Sequence, residues 1–210
     1  MIAAPPEATA VVNDVCRYLA QHIDDGITYG GGGISCKPRL QGGLYADFDL
    51  EAGAPRDLEG IADATFGTFE LMGYILTYHG AVVHHKVQRI AIECGSSHEA
   101  EALASFKLVD VTLSARQIQV AMGVAPAGAT FIGTDNKAHM LVANSAGSSV
   151  RSRHFLKKYT IMQEKMRCDE IECGHVKDPE NPADFLTKWV NADKFKRSVV
   201  YTTNSNAFVP

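Results

Sequence analysis

Three consecutive segments beginning at Leu58, LEGIADATF, LMGYILTYHG and AVVHHKVQRIAIE, are rich in β-branched and aromatic residues, and Gly67, Gly73 and Gly80 suit turns or bends. Three strands with links this short predict an antiparallel meander. The apolar period then becomes helical: EAEALASFKLVDV sets Ala100, Leu103, Phe106 and Leu108 or Val109 along one side. Ser114 with Gln117 predicts a capping box that opens a second helix, with Gly123 placed to close it. After the loop VAPAGA come a short strand, ATFIGTD, a helical stretch from Asn136, a polar helix over SRHFLKKYTIMQEKM and a strand at EIECGHV. A last helix is expected with Asn181 as N-cap, Pro182 at its first position and Asp184 one turn in. The expected order from Leu58 is therefore βββ, α, α, β, α, α, β, α.

Upstream of this pattern, Val11, Val12, Val15, Leu19 and Ile23 lie at roughly helical spacing and predict one amphipathic helix. GITYGGGGISCKPRLQGG follows, with seven glycines and a proline. That is linker composition, and its GGGG lacks the Lys-Ser/Thr continuation of a phosphate loop. The expected organisation is an N-terminal helix and connection over 1–56, a domain over 57–190 and a tail over 191–210. With no apolar run of membrane-spanning length and no charged-then-apolar leader pattern, the chain is expected to be intracellular, cytoplasmic or nuclear, and away from membranes. The five cysteines are spread without a CxxC pair, which argues against a disulfide framework or a zinc ribbon. A net charge of −4 leaves no global basic excess to hold nucleic acid, so any such role must rest on a local site.

The acids fall at informative places in this order. Asp63 lies within the first strand, Glu101 near the start of the following helix, Asp135 at the end of the fourth strand and Asp184 in the first turn of the last helix. Strand ends and helix starts of a mixed sheet can share one edge. Carboxylates gathered there would repel by about 1 kcal/mol per pair in water and about 4 at an effective dielectric of 20, so the cluster makes sense only around cations. Mg²⁺ suits such a site, because it takes hard oxygen ligands and is commonly completed by substrate phosphate.

IADATFG, GYILTYHG, CGSSHEAEALA, FIGTDN and HVKDPENPADFLTK, in this order, resemble the ribonuclease H domain of reverse transcriptases from copia-type long-terminal-repeat retrotransposons. The upstream VVNDVCRYLAQHIDDGITYGGGG resembles the stretch that joins polymerase to ribonuclease H in those polyproteins. The resemblance implies a mixed α/β, ribonuclease H-like fold: a five-stranded mixed sheet of βββαβαβα type with flanking helices. It implies a catalytic set of Asp63, Glu101, Asp135 and Asp184 that binds two Mg²⁺ ions, with Mn²⁺ as a substitute. Asp63 would bridge both ions. The implied reaction is hydrolysis of the RNA strand of an RNA/DNA hybrid, with a polymerase domain in the same polyprotein and a retrotransposon particle as one setting.

Asp47, in YAD, competes with Asp63, in IAD, for the first position. The interval from Asp63 to Glu101 fits three strands with tight turns and a helix start, whereas Asp47 lies between glycine-rich segments; Asp63 is the expected ligand. His175, on an expected loop ahead of Asp184, is a candidate proton shuttle. Ser97, His98 and Asn136 flank the acids as candidate substrate contacts, each also suited to capping or turns. Arg151, Arg153, Lys157 and Lys158 suit a solvated helix face, with phosphate contact as the alternative. A second function class is a catalytically idle module of the same fold that binds nucleic acid or serves in assembly. The presence of all four carboxylates favours the enzyme.

Overall fold

The computed structural model of the protein describes residues 6–21, 26, 57–91, 94–144 and 156–203. The first helix, α1, spans Pro6–Gln21, and its Val12 and Val15 are exposed. The connection, with Asp47 in it, lies outside the described residues except for Gly26. Three strands then form the meander, β1 (Leu58–Ala64), β2 (Leu71–Tyr78) and β3 (Ala81–Arg89), each antiparallel to the one before. Helix α2 (Ser97–Ala121) crosses to β4 (Thr130–Thr134), which pairs parallel to β1. Helices α3 (Lys137–Asn144) and α4 (Leu156–Arg167) lead to β5 (Ile171–His175), parallel to β4. Two 3-10 turns, Asp178–Glu180 and Asp184–Leu186, precede the final helix, α5 (Ala192–Thr203). The sheet order is β3-β2-β1-β4-β5, so β2 alone runs against the rest. The mixed five-stranded sheet expected from the sequence is present.

Strand alternation sorts the core into two layers. Leu58, Ala62, Ile132, Ile171 and Cys173 face one side and pack with Ala100, Leu103, Leu108, Tyr159 and Met162 from α2 and α4. Ile61, Ile75, Phe131 and Val176 face the other side with Ala183 and Tyr201. Burial pushes the Cys173 thiol up to about 12.

Two helix boundaries differ from expectation. The structure has one helix where the sequence predicted two, because Ser114 donates its hydroxyl to the Asp110 carbonyl (3.0 Å) and sits mid-helix without capping anything. The N-cap is Ser96: its Oγ accepts from the Glu99 amide (3.3 Å), while Glu99 Oε2 accepts from the Gly95 amide (2.7 Å). Gly123 does end the helix, at a φ of 78° that favours glycine. Near the C-terminus, the Asn181 side chain accepts from Ala183 N (2.9 Å) and opens only a short 3-10 turn. The true cap lies ten residues later, where Asn191 Oδ1 accepts from Lys194 N (2.8 Å). The expected tail thus contains α5, whose Tyr201 is 1% exposed and donates its hydroxyl to Glu59 Oε1 (2.5 Å).

Gly73 does not form a bend. It pairs with Asp63 in mid-strand, and a Cβ there would lie 2.8 Å from Leu186 Cβ and 3.0 Å from Thr187 Cγ2. The bare backbone lets the second 3-10 turn lie flat on the sheet. Gly73→Ala should push that turn away and destabilise the fold by about 1–3 kcal/mol, read from the urea midpoint.

Candidate metal centre

The parallel register of β1 and β4 pairs Ile61 with Gly133, so its continuation brings Asp63 level with Asp135, the residue just past β4. Glu101, in the second turn of α2, approaches the same edge from the helix layer. One ligand oxygen from each of Asp63, Glu101 and Asp135 lies within 4.8 Å of the others. A second group of the same dimensions consists of Asp135, Asp178 and Asp184. Asp135 belongs to both. The four acids expected from the sequence therefore converge, and Asp178, at the start of the first 3-10 turn, joins them. Such paired, oxygen-only groups suit hard divalent cations.

Local structure fixes each carboxylate. Asp63 is fully buried and accepts a hydrogen bond from Thr187 Oγ1, whose segment lies over Gly73. Asp184, also fully buried, accepts from Lys194 on α5. Lys194 also donates to the Asp178 carbonyl. Lys188 Nζ lies 3.5 Å from Asp63, 3.9 Å from Asp135, 3.5 Å from Asp178 and 3.3 Å from Asp184. Glu101 is 7% exposed, and its Oε2 is buried without a hydrogen-bond partner among the described residues. A buried carboxylate oxygen without a donor is costly unless a cation meets it, and the all-oxygen donor set of this group fits a divalent cation.

Electrostatics follow from this crowding. Burial, then Asp184, raises the Asp63 carboxyl to about 7. Burial, then Asp63 and Asp135, raises Glu101 to about 9. Burial also raises Asp184, against the pull of Lys194 and Lys188. Burial draws the Lys188 ammonium down, but Asp63, Asp184 and Asp135 outweigh it and hold the amine above its ordinary value. In metal-free protein, Glu101 keeps a proton when folded that it loses when unfolded, between pH 4.5 and about 9. Stability is therefore expected to fall as pH rises through that window, and thermal melts in EDTA should show this slope, flattened in Glu101→Gln.

The flanking candidates are placed as follows. His175 is the last residue of β5 and not in a loop; it is buried, and its Nε2 lies 3.1 Å from the Asp135 carbonyl oxygen. The strand, Ile171–His175, lies within the expected EIECGHV and keeps its register with β4 as far as Thr134, so His175 is held in the sheet. Ser97 is exposed at the first position of α2. His98 Nε2 lies 3.2 Å from the Tyr159 hydroxyl, which in turn meets His139 Nδ1 at 2.8 Å. Asn136 caps α3, its Oδ1 accepting from His139 N (2.9 Å). Lys157 is exposed on α4 and Lys158 lies over the Phe106 ring, whereas Arg151 and Arg153 lie outside the described residues.

Sequence reasoning missed Asp178, Thr187, Lys188 and Lys194. Three of them lie within HVKDPENPADFLTK, where Lys188 follows Asp184 at the i,i+4 spacing that favours an ion pair. Trp189, the single tryptophan, went unmarked as well; it stands fully exposed next to Lys188.

No protein-family model matches the chain, and neither does any curated protein. Among solved structures, it is similar to a ribonuclease H1 isolated from compost, in complex with an RNA/DNA hybrid, at 13% identity and a TM-score of 0.47, covering 61% of this chain and 92% of that one. The N-terminal ribonuclease H domain of a Mycobacterium tuberculosis protein gives 17% identity and a TM-score of 0.46 over 68% of this chain and 96% of that one. The protease-reverse transcriptase of prototype foamy virus gives 14% identity and a TM-score of 0.42, covering 70% of this chain and 23% of that one. The strand succession and sheet order of the present chain make the five-stranded mixed α/β sheet with flanking helices that its sequence predicts.

Proposed function

We propose that this protein is a divalent-metal-dependent ribonuclease H that hydrolyses the RNA strand of RNA/DNA hybrids. The observation that carries the reading is the meeting of Asp63, Glu101 and Asp135 at one sheet edge, together with a buried Glu101 oxygen that has no hydrogen-bond partner among the described residues. Asp63 and Asp135 would hold two Mg²⁺ or Mn²⁺ ions between them, Glu101 completing one position and Asp184 the other. When bound, such ions supply an activated water and neutralise charge on the leaving 3′-oxygen.

The chain's own residues supply the rest. Thr187 orients Asp63, and Lys194 orients Asp184. His175 stands beside the Asp135 backbone, where its imidazole can carry a proton during product release. Ser97, His98 and Asn136 would be the contacts to the hybrid, and the face of Trp189 is open for stacking on sugar or base. Choice of RNA over DNA would rest on the 2′-hydroxyl and the minor-groove shape. The sequence resemblance supports a place in a copia-type reverse transcriptase, with a polymerase domain in the same polyprotein.

Cleavage of an end-labelled RNA/DNA hybrid in Mg²⁺, by the parent and by Asp135→Asn, tests the reading. Cleavage by the parent, abolished by the substitution, is expected. Tight hybrid binding without cleavage would instead establish the idle binding module.

A further inference from the structure

The acidic edge contains its own cation. Five carboxyl groups, from Asp63, Glu101, Asp135, Asp178 and Asp184, meet there, and the ammonium of Lys188 lies within 3.9 Å of all but Glu101. Lys194 reaches Asp178 and Asp184 from α5 and is 13% exposed, so it acts as a fixed strut. Lys188 differs in two respects. It contacts Asp63 and Asp135, which between them serve both candidate cation groups, and its side chain is 36% exposed, leaving a route to solvent that does not open the core. Its backbone stays anchored by a bond from its amide to the Asp184 carbonyl (2.9 Å), so only the flexible four-carbon stem has to move.

We propose that Lys188 is the resident counter-ion of the metal-free site: its ammonium occupies the space into which a divalent cation must come and withdraws when one binds. The inference rests on reading the cluster as a metal site. A cation held by Asp63 and Asp135 takes oxygens at about 2.0–2.1 Å. It would then lie a few ångströms from Nζ, and the two positive charges repel each other. Lys188 thus stabilises the acids when no metal is present and competes with the metal for them. It is a positioning residue whose removal should tighten metal binding, whereas a merely structural residue would loosen it on removal.

Two measurements test this. In the parent, acetylation of lysines by an N-hydroxysuccinimide ester, read by mass spectrometry, should modify Lys188 severalfold faster after addition of saturating Mg²⁺ or Mn²⁺. Lys107, on the exposed side of α2, should not change. In calorimetric titrations, Lys188→Met should bind Mn²⁺ about tenfold or more tightly than the parent, and Lys188→Arg should stay near the parent. Unchanged Lys188 labelling at saturating metal, or unaltered or weaker Mn²⁺ affinity in Lys188→Met, overturns the proposal. If the methionine variant fails to fold, labelling of the parent decides. Should Mn²⁺ bind the parent and be lost in Asp63→Asn while both Lys188 readouts stay flat, this inference falls and the metal centre stands. Should neither the parent nor Lys188→Met bind Mn²⁺, both fall.

Discussion

Asp63→Asn is expected to lower the rate of hybrid cleavage by at least about a thousandfold while leaving the fold intact, because it removes a ligand oxygen from the group formed with Glu101 and Asp135 and changes little else in shape. The two halves of this result are separable. Asp63 is fully buried and its carboxyl is raised to about 7, so its ionised form is a burden on the metal-free fold near neutral pH. The neutral amide lifts that burden and can still accept the Thr187 hydroxyl bond. Thermal melting in EDTA above pH 7 should therefore show the variant at least as stable as the parent, a trade of stability for activity that marks a functional site. A variant that cleaves at a tenth of the parental rate or better would remove Asp63 from the catalytic set. Asp47→Asn is the matched control and should leave the rate nearly unchanged.

A chain ended after Val190 is expected to lose cooperative folding. The lost segment holds α5, with buried Tyr201 and Ser198, the Tyr201 bond to Glu59 on β1, and Lys194 on Asp184. Removing one large buried aromatic alone costs about 3–5 kcal/mol, a large part of the 5–15 kcal/mol that holds a typical domain. Asp184 would also keep its buried carboxylate without its nearest ammonium, which is more costly than losing the pair. Circular dichroism melts should show a broad transition or none, and a sharp parental melt would show α5 to be dispensable.

The meander and the strand-helix alternation could be read from residue types because each strand is a short β-rich run bounded by turn residues, and each helix shows its own period. Asp63, Glu101, Asp135 and Asp184 could be placed because their elements end at one edge. Lys188 and Lys194 could not. A lysine on a polar segment looks like any solvated lysine until the fold sets acids around it. Helix α5 was hidden for a related reason. Asn181-Pro182 gives a stronger start signal than Asn191-Ala192, but the capping oxygen of Asn181 turns to Ala183 and helix growth stops at Leu186. At Ser114 the error was of the opposite kind: a serine-to-glutamine spacing that fits a helix start also fits a helix interior, where the hydroxyl bonds backwards to Asp110.

The strand that carries Asp63 opens the domain, while Thr187, Lys188 and Lys194, which surround that aspartate and Asp184, belong to its final elements. Contacts spanning so much of the polypeptide form slowly and late. During translation, then, Asp63 and Asp184 acquire their partners last, and the acidic edge is completed only once the stretch that carries Lys194 has left the ribosome.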